Sequence, residues 1–205
     1  MVDMAFVLDI ALSLKRMLIG YCWVVLIGIT LGLVFGRSNL LHRTCGTLVV
    51  ALQSMPGIVW VPVATYFFGL TEAAVIFTIV LGGTGIVIVN TDSGVRQVSP
   101  IFVHAGRVMG ARGINLFWYV IVPAAIPKIL DGLRLAWAFG WRALMAGELI
   151  IAVGGFGRRI NNVVESQNTG DLIILIVTIG IIGFIVDELI FKNIERNIQK
   201  KWGLA

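Results

Sequence analysis

Five stretches of this chain are apolar over about the 20 residues that a helix needs to cross the hydrocarbon core of a bilayer. They cover 17–36, 48–68, 73–90, roughly 129–153, and 172–191. Such a chain has too little polar surface to enclose its apolar residues in a soluble domain. Hydrophobic residues make up 58% of its 205 positions and charged ones 13%, with a mean hydropathy of +0.95. Soluble domains average about 45–50% apolar and about 25% charged residues. The expected fold class is therefore all-α: one polytopic transmembrane helical bundle of about five spans, occupying 1–205.

The net charge of +5 does not indicate a nucleic-acid partner, because the basic residues are scattered between the apolar runs. Membrane topology accounts for them better, since Lys and Arg accumulate in cytoplasmic loops. With the N-terminus outside, the inner segments 37–47, 91–128 and 192–205 hold ten Lys or Arg and the outer ones four (Lys15, Arg16, Arg158 and Arg159). This asymmetry predicts an outer N-terminus and a cytoplasmic C-terminus. The opening residues carry Asp3 and Asp9 ahead of the basic pair, which is not the arrangement of a cleaved signal peptide.

No catalytic constellation is visible. Cys22 lies in an apolar run and Cys45 in a short polar segment, while His42 and His104 fall in separate loops. Neither a disulfide nor a metal site is expected from that spacing, and no Ser-His-Asp set or paired carboxylates converge. A phosphate-binding GxxxxGK[ST] loop is also missing, so no cofactor is expected on this chain.

Polar groups inside apolar runs are costly and are functional candidates. In 48–68, Gln53, Ser54 and Pro56 interrupt the run and Pro62 follows. A break there would expose backbone carbonyls, tolerable only toward protein or a watery cavity; a simple packing kink is the other reading. In 129–153 stand Arg134, Arg142 and Glu148. Arg142 and Glu148 are six residues apart and point to different faces of a helix. Arg142 either lines a pathway that favours a small anion or binds backbone carbonyls or an acid of a second copy. Glu148, near the outer end, joins that pathway, contacts a protein partner outside the membrane or orients the following loop. Arg134 is placed to snorkel toward the cytoplasm. Gln53, Ser54, Arg142 and Glu148 are thus the candidate pathway residues. Gly20, Gly28, Gly32 and Gly36 form one small-residue stripe, read as close helix packing.

The segment HAGRVMGARGINLFWYVIVPAAIP, 104–127, breaks this apolar pattern with Gly, Arg, His and Pro. Its order suggests two short helices at a bend, projecting from the membrane face. The segment resembles the cytoplasmic loop of ABC-importer permeases, whose pattern is Glu-Ala-Ala, three residues, Gly, nine residues, Ile-x-Leu-Pro. His104 stands in place of the Glu, Ala105 matches, and Gly106 replaces the second Ala. Gly110 matches the Gly, Val120 and Val122 replace Ile and Leu, and Pro123 matches. MPGIVWVPVATYFFGLTE, PAAIPKILDGLRLAWAFGWRALMAGELI and the closing ERNIQKKWG are similar to the nitrate, sulfonate, taurine and bicarbonate branch, whose members usually have six spans.

The resemblance implies a type I ABC-importer permease in a bacterial inner membrane, acting as a homodimer. Its coupling loop, about 100–127, would dock on cytoplasmic ATPase subunits that carry the ATP and Mg. An extracytoplasmic substrate-binding protein would dock near 154–171 and deliver a small oxyanion. The His104-for-Glu change removes whatever charge contact that Glu makes. An ATP-independent channel or secondary transporter is the alternative, and it leaves the loop unexplained.

Overall fold

A computed structural model describes residues 4–201, and statements of absence below concern those residues. They form helices joined by short turns: α1 Met4–Arg37, α2 Asn39–Gln53, α3 Gly57–Phe68, α4 Glu72–Arg96, α5 Pro100–Val108, α6 Gly113–Ile151, α7 Gly155–Glu165 and α8 Thr169–Arg196, which continues as helix to Lys201. Four of these are long and apolar enough to cross a membrane, and α2 with α3, bent by 92° at their break, pass the same test as a pair. Trp202 and Gly203 of the closing motif lie outside the described residues.

Helix α4 is the axis of the bundle, packed between α1 and α6. Helices α1 and α4 run parallel, and the Gly stripe is their seam. A Cβ added at Gly20 would fall 2.8 Å from Ile79, and one at Gly32 2.5 Å from Thr91. Both are closer than carbon atoms tolerate, so only glycine permits this approach. In hydrocarbon, lipid tails are as apolar as Leu, and helix association rests on such close van der Waals contact. Met17, Val75, Ile79 and Leu144 fill one core layer, and Val95, Phe117, Ala125 and Ile129 another nearer the other end.

Two helices begin earlier than the apolar runs suggest. The first runs from Met4, not from the neighbourhood of Lys15 and Arg16, because Asp9, Ser13 and Arg16 lie on one helical face that is buried and satisfied by other elements. The fourth begins at Gly113, so the expected second short helix of the polar loop is instead the first part of α6. Pro123 and Pro127 lie within it. A π-helical turn at Phe117–Ile121 precedes them, where the wider hydrogen-bond spacing accommodates residues lacking an N–H.

Candidate coupling surface and membrane cavity

Between α4 and α6 the chain forms the short helix α5. Ser99 caps it through its hydroxyl, which accepts the Ile101 N–H at 3.4 Å, and Pro100 occupies its first turn. At the other end Gly110 adopts φ +88 and the Ala111 N–H reaches the Gly106 carbonyl at 2.9 Å. That left-handed turn suits glycine. Gly106 faces α6, where a Cβ would meet Val120 at 2.8 Å and Leu116 at 3.0 Å. Gly106 and Val120 of the sequence motif therefore touch, seating α5 on the start of α6. Val122 and Pro123 lie half-buried one turn further along. His104, Ala105 and Gly110 stay exposed, as do Val108 and Met109 at 89% and 86%. Two adjacent apolar side chains at that exposure make a surface fit for contact.

The second site lies at the bend of the broken crossing. Pro56 cannot donate to the preceding turn, and the helix stops at Gln53 and resumes at Gly57. The Ser54 hydroxyl donates back to the Ala51 carbonyl at 2.7 Å and closes the end of α2. The bend sits against a flat part of α6: a Cβ at Gly57 would come 3.6 Å from the Ala143 Cβ, and one at Gly82 of α4 would come 3.0 Å from it. Between these elements lies a cavity of about 400 Å³, lined among others by Gln53, Ser54, Trp60, Phe139 and Arg142. The Arg142 guanidinium lies 5.1 Å from the Phe139 ring centroid and forms no ion pair among the described residues.

Glu148 stands apart from this cavity. It is fully buried and accepts hydrogen bonds from Arg16 at 2.8 Å, from Ser13 at 2.8 and 2.9 Å, and from the Gly157 N–H at 3.2 Å. Having no exposed surface, it cannot line a pathway in this conformation. Its structural task is clear from its partners. The first three N–H groups of α7 are taken by Asp9, Ser13 and Glu148, on Gly155, Phe156 and Gly157 respectively. These are the donors that every helix start leaves free, and carboxylates there also suit the helix dipole. Arg16 further donates to the carbonyls of Val153 and Gly154 and to Glu72. This polar knot joins α1, α4, α6 and α7. Its α1 members escape a search for apolar runs, but the 9, 13, 16 spacing of polar residues signals one helical face.

Arg134 forms a two-pronged pair with Asp187 of α8, at 2.8 and 2.6 Å, and reaches Glu195 at 3.2 Å. At the far end from the knot, Asp92 bonds His42 at 2.6 Å and Arg96 at 3.0 Å, while Arg96 also holds the carbonyls of Phe35 and Ser38. No three His, Cys, Asp or Glu among the described residues group closely enough to hold a metal ion.

Four long apolar helices, one bent helix pair and a short exposed helix at one end make up a polytopic membrane permease fold. Solved structures share it. An inward-facing MetNI methionine ABC transporter chain matches with a TM-score of 0.76 at 16% identity, covering 91% of this chain and 93% of that one. A chain of an amino acid ABC transporter crystallised with histidines matches at 0.74 and 17%, covering 96% and 94%.

The chain belongs to the family of binding-protein-dependent transport system inner membrane components, whose profile matches residues 25–201. It is 31% identical over 178 residues to a putative ABC transporter permease of Methanocaldococcus jannaschii, covering 86% of this chain and 67% of that one. It is 28% identical to the nitrate import permease NrtB of Leptolyngbya laminosa, covering 92% and 67%. The taurine transport permease TauC of Escherichia coli is 30% identical, with 92% and 68% covered. This protein is thus an inner-membrane permease subunit of an ABC importer, from a family whose members transport rather than catalyse.

Proposed function

We propose that two copies of this chain form the membrane pathway of an importer for a small oxyanion, of the class of nitrate, taurine or bicarbonate. Two cytoplasmic ATPase subunits, which carry the ATP and Mg, bind the α5 surface. Their closure pushes α5, and through the Gly106–Val120 contact the start of α6, so that the pathway opens alternately to either side. A binding protein delivers the solute to the outer face near α7. The N-terminus lies outside and the C-terminus inside, consistent with the Lys and Arg asymmetry of the loops.

The observation that supports this reading most is the seating of α5: a short capped helix fixed to α6 by a glycine, with Val108 and Met109 pointing outward. The oxyanion class draws on the names of the relatives and on Arg142.

Co-purification with the cognate ATPase tests the reading. The parent chain retains the ATPase through detergent exchange, while Val108→Asp with Met109→Asp releases it without lowering thermal stability. Retention by that double variant, or no ATPase bound by the parent chain, would remove the basis of the proposal.

A further inference from the structure

We propose that the cavity at the 92° bend is an intramembrane binding site for a small oxyanion, with Arg142 as its charged ligand and the Gln53 amide as a second donor. The inference rests on the importer reading above and specifies its transport path.

A positive side chain at bilayer depth is costly and is normally paired. The other arginines held between the crossings obey this rule. Arg16 is paired with Glu148 and Glu72, Arg96 with Asp92, and Arg134 with Asp187 and Glu195. Arg142 is the exception. It lies nine residues before the end of α6, about 13 Å inside that end at 1.5 Å per residue, and among the described residues its guanidinium meets the Phe139 ring and no acid. Phe139 orients the guanidinium without neutralising it.

The surroundings define the chemistry of the missing partner. No Asp or Glu lines the cavity, so an anion meets no repulsion and a cation gains no ligand. The Gln53 amide makes no hydrogen bond within the described residues, leaving its N–H groups available. A guanidinium presents N–H donors in a plane and engages oxyanions through two parallel hydrogen bonds. The space, about 400 Å³, admits a small oxyanion with some of its water. Small residues keep it open: Gly57 and Gly82 face Ala143, and Ala146 also lines it. The bend itself has a purpose in this arrangement, since non-helical backbone at membrane depth is tolerated where it borders a watery cavity.

The test uses the complete importer, permease with its ATPases and binding protein, in proteoliposomes. Uptake of labelled nitrate, bicarbonate and taurine is measured separately, and assembly is followed by co-purification. The parent importer takes up at least one of the three. Arg142→Gln lowers that uptake roughly ten- to hundredfold, the loss of one charge-assisted contact, while the complex still assembles. Arg142→Lys restores part of the uptake and raises its apparent KM, because the charge remains and the planar fork is lost. Gln53→Ala lowers uptake less.

Uptake unchanged in Arg142→Gln overturns the site, as does a parent importer that moves none of the three solutes. Loss of the permease dimer in Arg142→Gln also overturns it, by identifying an acid of the second copy as the partner of Arg142. Failure of the parent chain to bind any ATPase is a different result and refutes the importer reading itself.

Discussion

The Arg16 guanidinium and the Glu148 carboxylate, 132 positions apart in the chain, meet at 2.8 Å with both side chains almost wholly buried. The pair ties the first helix to the end of α6 and holds the turn that launches α7. The attraction in such a contact is largely offset by the loss of hydration, but losing one partner strands the other charge without water. Glu148→Ala is therefore expected to destabilise the protein by about 3–5 kcal/mol. Arg16→Met combined with Glu148→Leu removes both charges and should cost less than either single change. Thermal unfolding in detergent measures the order, and a Glu148→Ala protein as stable as its parent would show the knot to be dispensable.

The glycine seam predicts a steric effect at one position. A Cβ at Gly32 already lies 2.5 Å from the Thr91 Cβ, so Gly32→Leu must separate α1 from α4. Overpacking of this kind costs about 1–3 kcal/mol or more. Gly180→Leu is the matched control, because nothing lies within 4 Å of that position. Equal melting temperatures for the two variants would contradict the close approach.

The bend against α6 can be locked. The Cβ positions at Gly57 and Ala143 are 3.6 Å apart, within the spacing of disulfide-bonded pairs. With Cys22→Ser and Cys45→Ser as background, Gly57→Cys and Ala143→Cys should crosslink on mild oxidation. If the bend moves during transport, oxidation stops uptake and a reductant restores it. A crosslinked protein that transports at the parent rate would place the moving parts elsewhere.

The last crossing is held to α6 by the Arg134–Asp187 pair, a site about one third exposed on each side. Solvent screening limits the global cost of Asp187→Asn to about 1 kcal/mol. The local effect is the sharper readout: hydrogen exchange should rise along 169–196 and stay unchanged in α1 and α4. A uniform rise over all helices would argue against a local tether.

Much of the fold was legible in the residues because its causes are local. Twenty apolar residues in a row specify a crossing wherever they stand, and Pro56 beside Gln53 and Ser54 specifies a break whatever packs on it. The spacing from His104 to Pro123 pointed to an unusual loop, since a capped turn at Gly110 depends on few residues. The glycines of α1 announced a close neighbour without saying that α4 supplies it. The start of α1 was hidden for the opposite reason: Asp9, Ser13 and Arg16 break the apolar pattern, and their burial shows only once their partners are known.

What the sequence by itself determined is membrane residence, the helical class and the family, each carried by composition, run length or motif spacing. Only the tertiary structure decided which polar residues are buried and paired and which are left facing a cavity. Arg142 and Glu148 sit six residues apart on one helix, and both stand among the pathway candidates read from the sequence. The fold gives Glu148 an arginine from 132 positions away and gives Arg142 an open cavity with no counter-charge. Charge pairing is settled by distance in space and by exclusion of water, and no local window of sequence contains either.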